Sequence, residues 1–127
     1  YAVARYGNVV GSNGSVVPLL RNLKKLKRPI TVTDTEMTRY WITLEDAAEF
    51  VYTKLNEAYG GEIFTPTMPS FKVMDLARIY SKNIEIIGVR PGEKIHESIN
   101  VGESSDTNTW WLNKVELKTK LKELEML

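Results

Sequence analysis

The sequence predicts an α/β fold. Short runs of apolar and β-branched residues alternate along the chain with segments whose apolar positions recur at helical spacing. Glycines and prolines punctuate the changeovers. Alternation of this kind argues for helices packed against strands. The strand runs are few and short, so several read as edges of a sheet whose other strands lie outside the chain.

Residues 2–6 read as a buried strand and Gly7 to Gly14 as a loop with three glycines. Ser15 can cap the next helix, on which Val16, Leu19, Leu20, Leu23 and Leu26 keep helical spacing and Pro18 sits near the first turn. Pro29 ends that segment, and Ile30 to Thr33 is a β-branched strand. Met37 to Ile42 is extended too. Thr43, with Asp46 three positions on, resembles a capping box and starts a helix. Its apolar residues Leu44, Ala47, Ala48, Val51 and Leu55 predict one buried face. Gly60-Gly61 stops it, and Glu62 to Thr65 is a strand. A helix over 72–81 and a strand from Ile84 to Val89 precede the polar turn Arg90-Pro91-Gly92-Glu93. A polar stretch, Gly102 to Thr109, leads to a last helix carrying Leu112, Val115, Leu117, Leu121, Leu124 and Leu127. Its leucines, with Trp110 and Trp111 before them, are expected to anchor it on the body of the chain.

Composition narrows the function. Seventeen basic residues against 16 acidic ones leave a net charge of +1, which gives no reason to expect nucleic acid or an anionic membrane as partner. No run approaches the ~20 apolar residues of a membrane span. Cysteine is absent, which removes disulfides, thiolate nucleophiles and zinc–sulfur sites. A cytoplasmic protein is the expectation. The chain opens at Tyr1 directly on a strand-like run, which suggests a piece of a longer polypeptide.

Gly7, Gly11 and Gly14 lie between a strand and a helix, and Asp34 ends the following strand. The layout approaches a dinucleotide-binding unit, but the spacing is G-x-x-x-G-x-x-G where the fingerprint needs G-x-G-x-x-G. An ordinary strand-to-helix loop explains the glycines, and no cofactor-binding residue is assigned there.

Longer motifs are more specific. Arg5-Tyr6-Gly7-Asn8-Val9-Val10-Gly11-Ser12-Asn13-Gly14-Ser15-Val16 is followed in order by Pro29 to Asp34, Met37-Thr38-Arg39-Tyr40-Trp41-Ile42-Thr43, Gly60 to Phe64, and Ile87-Gly88-Val89-Arg90-Pro91-Gly92-Glu93-Lys94-Ile95-His96-Glu97. Together these resemble the inverting UDP-N-acetylglucosamine 4,6-dehydratase branch of the extended short-chain dehydrogenase/reductases, which has a Rossmann-like fold. The resemblance covers residues 1 to about 100, read as a sugar-nucleotide-binding part, with 101–127 a polar loop and amphipathic helix. Two family hallmarks, the glycine-rich NADP loop and the Tyr-x-x-x-Lys pair, do not occur here: no tyrosine has a lysine four positions later. The resemblance places both upstream of Tyr1. It therefore implies an NADP-dependent, homo-oligomeric parent in which this part binds the UDP-sugar and carries no catalytic residue. The parent would oxidise the sugar at C4, lose water across C5 and C6, and return hydride to C6.

By the same resemblance Arg39 and Arg90 grip the diphosphate, Glu93 accepts from the ribose hydroxyls, Asn8 contacts the sugar–phosphate region and Thr33 lines the uridine pocket. The chemistry agrees, since guanidinium forks suit phosphates and an ionised carboxylate takes several donors. His96, the sole histidine, reads as a structural hydrogen-bonding residue, and no metal site is expected. Other readings remain open: a UDP-sugar 4-epimerase part, a stand-alone UDP-sugar-binding module or gene remnant, and a small dinucleotide-binding domain.

Overall fold

The computed structural model describes residues 1–12 and 16–127. The expected cap at Ser15, and Gly14, lie outside the described residues. Among the described residues ten elements mix strands and helices along the chain: β1 (Val3–Ala4), α1 (Val16–Lys25), β2 (Ile30–Val32), β3 (Thr38–Tyr40), α2 (Leu44–Glu57), β4 (Ile63–Phe64), β5 (Ser70–Lys72), α3 (Val73–Tyr80), β6 (Ile84–Ile86) and α4 (Lys114–Glu123). Strand β5 is the one the sequence concealed, because Pro69 precedes it and only three residues pair.

The strands form three separate two-stranded ladders. Pairs β1–β4 and β2–β6 are parallel, and β3–β5 is antiparallel. Trp111 adds a parallel bridge to Ser70, whose N–H donates to the Trp110 carbonyl at 2.9 Å and whose carbonyl accepts from Leu112 N–H at 2.8 Å. The backbone at 110–112 thus ties the last helix to β5, and Leu112, Leu117 and Leu121 enter the main core. The expected anchoring holds, with one correction. Trp110 remains half exposed, so its backbone and not its ring makes the attachment.

The main core gathers Val17 and Leu20 of α1, Ile30 and Val32 of β2, Leu76, Ala77 and Tyr80 of α3, and the leucines of α4. Burying such side chains contributes ~1.5–3 kcal/mol each. On α1 the expected apolar face is cut back, because Leu19 and Leu26 are exposed. Both α1 and α4 end in a Schellman turn. Arg28 N–H reaches Leu23 O past Lys27 (φ 54°), and Met126 N–H reaches Leu121 O past Glu125 (φ 57°).

The Thr43 cap is confirmed, its hydroxyl accepting from Asp46 N–H at 3.1 Å. The buried face predicted for α2 is not. Only Ala47 is buried, while Leu44 is 72% and Leu55 71% exposed and Val51 is exposed as well. Helical spacing names a face but not what covers it: Tyr40, Ile42 and Met68 cluster with Ala47, while Leu44, Ala48, Val51 and Leu55 stay exposed. Strand β1 is likewise less buried than expected, with Val3 and Tyr6 partly exposed. No helix among the described residues is long and apolar enough to cross a membrane.

Candidate functional site

Four of the five expected binding residues meet around one loop. Strands β2 and β6 run parallel, and Ile87 N–H donates to Val32 O at 3.0 Å to extend the ladder. Thr33 follows β2 and the Arg90–Glu93 turn follows β6, so both lie beyond the carboxyl ends of adjacent parallel strands. That is where ligands bind in open α/β sheets. In the turn, Glu93 N–H donates to Arg90 O at 3.0 Å, and Gly92 takes φ 82° behind Pro91, the pattern of a type II turn.

The turn folds Glu93 back toward β2. Its Oε1 accepts from the Thr33 hydroxyl at 2.7 Å and its Oε2 lies 3.4 Å from Arg90 N–H. The Thr33 hydroxyl holds this carboxyl below the usual range, assisted by the Arg90 backbone and the charges of Arg90 and Arg39. Glu93 is therefore an ionised, acceptor-only group at neutral pH.

Arg39 has a second duty that its sequence did not announce. Its Nη1 donates to Thr38 O at 2.6 Å and Ile95 O at 2.8 Å, and its Nη2 donates to Lys94 O at 2.7 Å. The side chain straps the 94–95 backbone to β3. A guanidinium has five N–H donors. These bonds occupy three, so two have no partner among the described residues. Burial lowers the Arg39 pKa, against which the charges of Glu97 and Glu93 act; an arginine nonetheless stays charged.

The free edge of β3 joins this loop to the glycine loop. Thr38 N–H donates to Ile95 O at 3.0 Å, Tyr40 N–H lies 3.4 Å from Glu97 Oε1, and Ile42 O accepts from Val10 N–H at 2.9 Å. Asn8, the fifth expected residue, is brought to the other side of this edge, where it lines a cavity of about 100 Å³ with Arg39, Tyr40 and Glu97. Water takes ~30 Å³ per molecule in the liquid, so the cavity is far too small for a nucleotide sugar. A ligand would lie across the loops and only touch this notch.

His96 makes the structural contacts expected of it. Its Nδ1 is 2.7 Å from Thr38 Oγ1, which is 2.7 Å from the buried Ser105 Oγ. Ser105 Oγ in turn accepts from Glu97 N–H at 2.8 Å, and Ser105 N–H donates to Glu97 O at 2.7 Å. Nε2 lies 3.8 Å from Asp106. Thr38, Ser105 and Glu97 were not singled out from sequence. Glu97 ended a recognisable motif and could have been, whereas Ser105 sits in a polar stretch that carries no local signal.

A Cβ on Gly7 would overlap the Glu97 carboxylate, and one on Gly11 would overlap Met126 Cε, so protein atoms already fill the space beside both glycines. Among the described residues no three His, Asp or Glu side chains are grouped to hold a metal.

Residues 1–117 match the polysaccharide biosynthesis protein family. The chain belongs to that family. Within it, the chain is 50% identical over 100 residues to an inverting UDP-N-acetylglucosamine 4,6-dehydratase of Campylobacter jejuni, covering 76% of this chain and 30% of the relative. A UDP-glucose 4-epimerase of Rickettsia bellii is 38% identical over 105 residues, covering 78% of this chain and 31% of the relative. The solved structure of Pen from Bacillus thuringiensis superposes with a TM-score of 0.86 at 30% identity, covering 99% of this chain and 51% of that one. The expected α/β fold of the extended short-chain dehydrogenase/reductases is borne out, as about half of such a chain. The family member described here spans under a third of the length of these two relatives.

Proposed function

We propose that this chain is the UDP-sugar-holding part of a nucleotide-sugar 4,6-dehydratase of the UDP-N-acetylglucosamine type, serving polysaccharide or glycan precursor synthesis. The observation that carries the reading is the convergence of Thr33, Arg39, Arg90 and Glu93 on one loop beyond parallel strand ends. The likeness to the Campylobacter dehydratase supports it. On this reading Arg90, which is exposed, and the two uncommitted N–H groups of Arg39 take the diphosphate. Glu93 accepts from the ribose diol beside Thr33, and Asn8 meets the sugar–phosphate region. NADP and the proton- and hydride-transferring residues belong to parts of a longer, cytoplasmic and homo-oligomeric lyase outside these residues. The 127 residues contribute positioning, which is worth several kcal/mol when reacting groups are held in register.

Calorimetry of UDP against the chain tests the grip. UDP should bind, and Arg90→Ala should weaken binding by about 2–4 kcal/mol, the range for removing one partner of a charge pair that the ligand desolvates. Unchanged affinity removes Arg90 from the phosphate site. The second reading is a 4-epimerase part with the same grip, favoured by the identity to the Rickettsia epimerase. The product of the full-length enzyme separates the two: a 4-keto, 6-deoxy sugar for the dehydratase, an inverted C4 hydroxyl for the epimerase.

A further inference from the structure

The β3 edge has one joint at which two loops are held together, and that joint is Glu97. Along the edge, Thr38 N–H is satisfied by Ile95 O, Tyr40 N–H by the Glu97 carboxylate, and Ile42 O by Val10 N–H. The 90–97 loop thus covers the edge as far as Thr38, and the glycine loop covers it from Ile42 onward. Only a side chain closes the gap at Tyr40. Two bonds to Ser105 fix where that side chain starts: Glu97 N–H donates to the Ser105 hydroxyl, and Ser105 N–H donates to Glu97 O. The absence of a Cβ at Gly7 leaves room for where it ends, since the carboxylate fills the position that a Cβ would take.

We infer that Glu97 is a positioning residue that seats the Gly7–Asn8 loop on the β3 edge and so sets Asn8 and Arg39 in register for one ligand. Glu97 touches no ligand on this account. It acts through Tyr40, Gly7 and Arg39, and it rests on the proposed UDP-sugar grip for its functional meaning. Burial raises the Glu97 pKa, while the Tyr40 and Asn8 amides and the Arg39 charge favour its ionised form. These are the interactions expected of a carboxylate drawn inward to satisfy backbone donors. The ionisable neighbours are Arg39 on the facing β3, and His96 and Glu93 on its own loop. Asp106 of the polar loop sits beside His96.

The geometry makes an unusual pairwise demand. The three atoms nearest to a Cβ on Gly7 all belong to the Glu97 carboxylate. Gly7→Ala should therefore lower UDP affinity by displacing the carboxylate, and should have little effect once Glu97 is already alanine. Glu97→Gln keeps an acceptor oxygen at the same reach and should preserve the seat. The experiment combines UDP calorimetry with hydrogen exchange at the Tyr40 and Asn8 amides, in the 127-residue chain and its Glu97→Ala, Glu97→Gln, Gly7→Ala and Gly7→Ala/Glu97→Ala variants. The expected result is faster exchange at both amides and affinity at least about tenfold weaker in Glu97→Ala, near-normal behaviour in Glu97→Gln, and no further loss in the double variant. Exchange and affinity unaltered in Glu97→Ala would overturn the inference. So would faster exchange with unaltered affinity, because the seat would then serve the fold alone. If the unsubstituted chain binds no UDP, the proposed grip fails; the seat is then upheld by exchange that follows the side chain at 97 and rejected by exchange that does not.

Discussion

Glu93 and Glu97 lie on one loop and are driven in opposite directions by their neighbours. Thr33 donates to Glu93 and holds its carboxyl below the ordinary range, so the stability it contributes is present above the unfolded pKa and is lost as pH falls through the depressed folded value. Burial raises Glu97, so its contribution is present below the unfolded pKa and is lost as pH rises through the raised folded value. In an NMR titration of the side-chain carboxyl carbons, Glu93 should titrate at lower pH than Glu97. Thr33→Val should move Glu93 up toward an ordinary carboxylate and leave Glu97 in place; an unmoved Glu93 would mean that the hydrogen bond is not what sets its charge. A second residue-scale prediction concerns Lys27, a non-glycine with φ 54° at the end of α1. Left-handed geometry costs an L-residue ~1–2 kcal/mol. Lys27→Gly should therefore be neutral or stabilising by up to ~1 kcal/mol in thermal unfolding, after allowance for glycine's greater unfolded freedom. The candidate binding residues could be proposed at this scale. Arg39, Arg90, Glu93, Thr33 and Asn8 could be named because their motifs are contiguous. That Arg39 also donates to the carbonyls of Lys94 and Ile95 could not, because those two bonds span more than 50 residues.

Helices α2 and α4 show why an amphipathic pattern is a weaker statement than it looks. Both carry leucines at helical spacing, and both are capped, α2 by Thr43 and α4 by an Asn113–Glu116 capping box. Leu117 of α4 is fully buried in the main core, whereas Leu55 of α2 is 71% exposed. Leu117→Ala should destabilise by ~2–5 kcal/mol, the cost of a core cavity. Leu55→Ala should stay within ~0.5 kcal/mol, as surface substitutions do. Denaturant unfolding of the two variants decides it, and equal losses would mean that α2 is covered in solution. Element type was readable in both helices from caps and periodicity. Burial was not, since it depends on which other element arrives, and nothing in a helix's own residues encodes that.

At the scale of the whole molecule, the last residues close over the first. Tyr80 of α3 donates to Met126 O at 2.7 Å, and the Met126 side chain packs into the main core beside Gly11. Gly11 has φ 84°, and a Cβ there would overlap Met126 Cε. Gly11→Ala should thus lose ~1–2 kcal/mol for the backbone alone, and more for the overlap. Adding Met126→Ala should recover the overlap part but not the backbone part. A strictly additive double-mutant cycle in thermal unfolding would break this link between the two ends.

The alternation of strands and helices, the Thr43 cap, the Pro91-Gly92 turn and the family of this chain were all written in contiguous stretches. Local backbone preferences and short motifs act between near neighbours, so sequence alone sufficed for them. The splitting of the strands into three ladders, the largely exposed face of α2, the strapping of the 90–97 loop by Arg39 and the placing of Glu97 beneath Gly7 were decided only by the tertiary structure. Each depends on groups far apart in the chain that meet because a core forms elsewhere and carries them together.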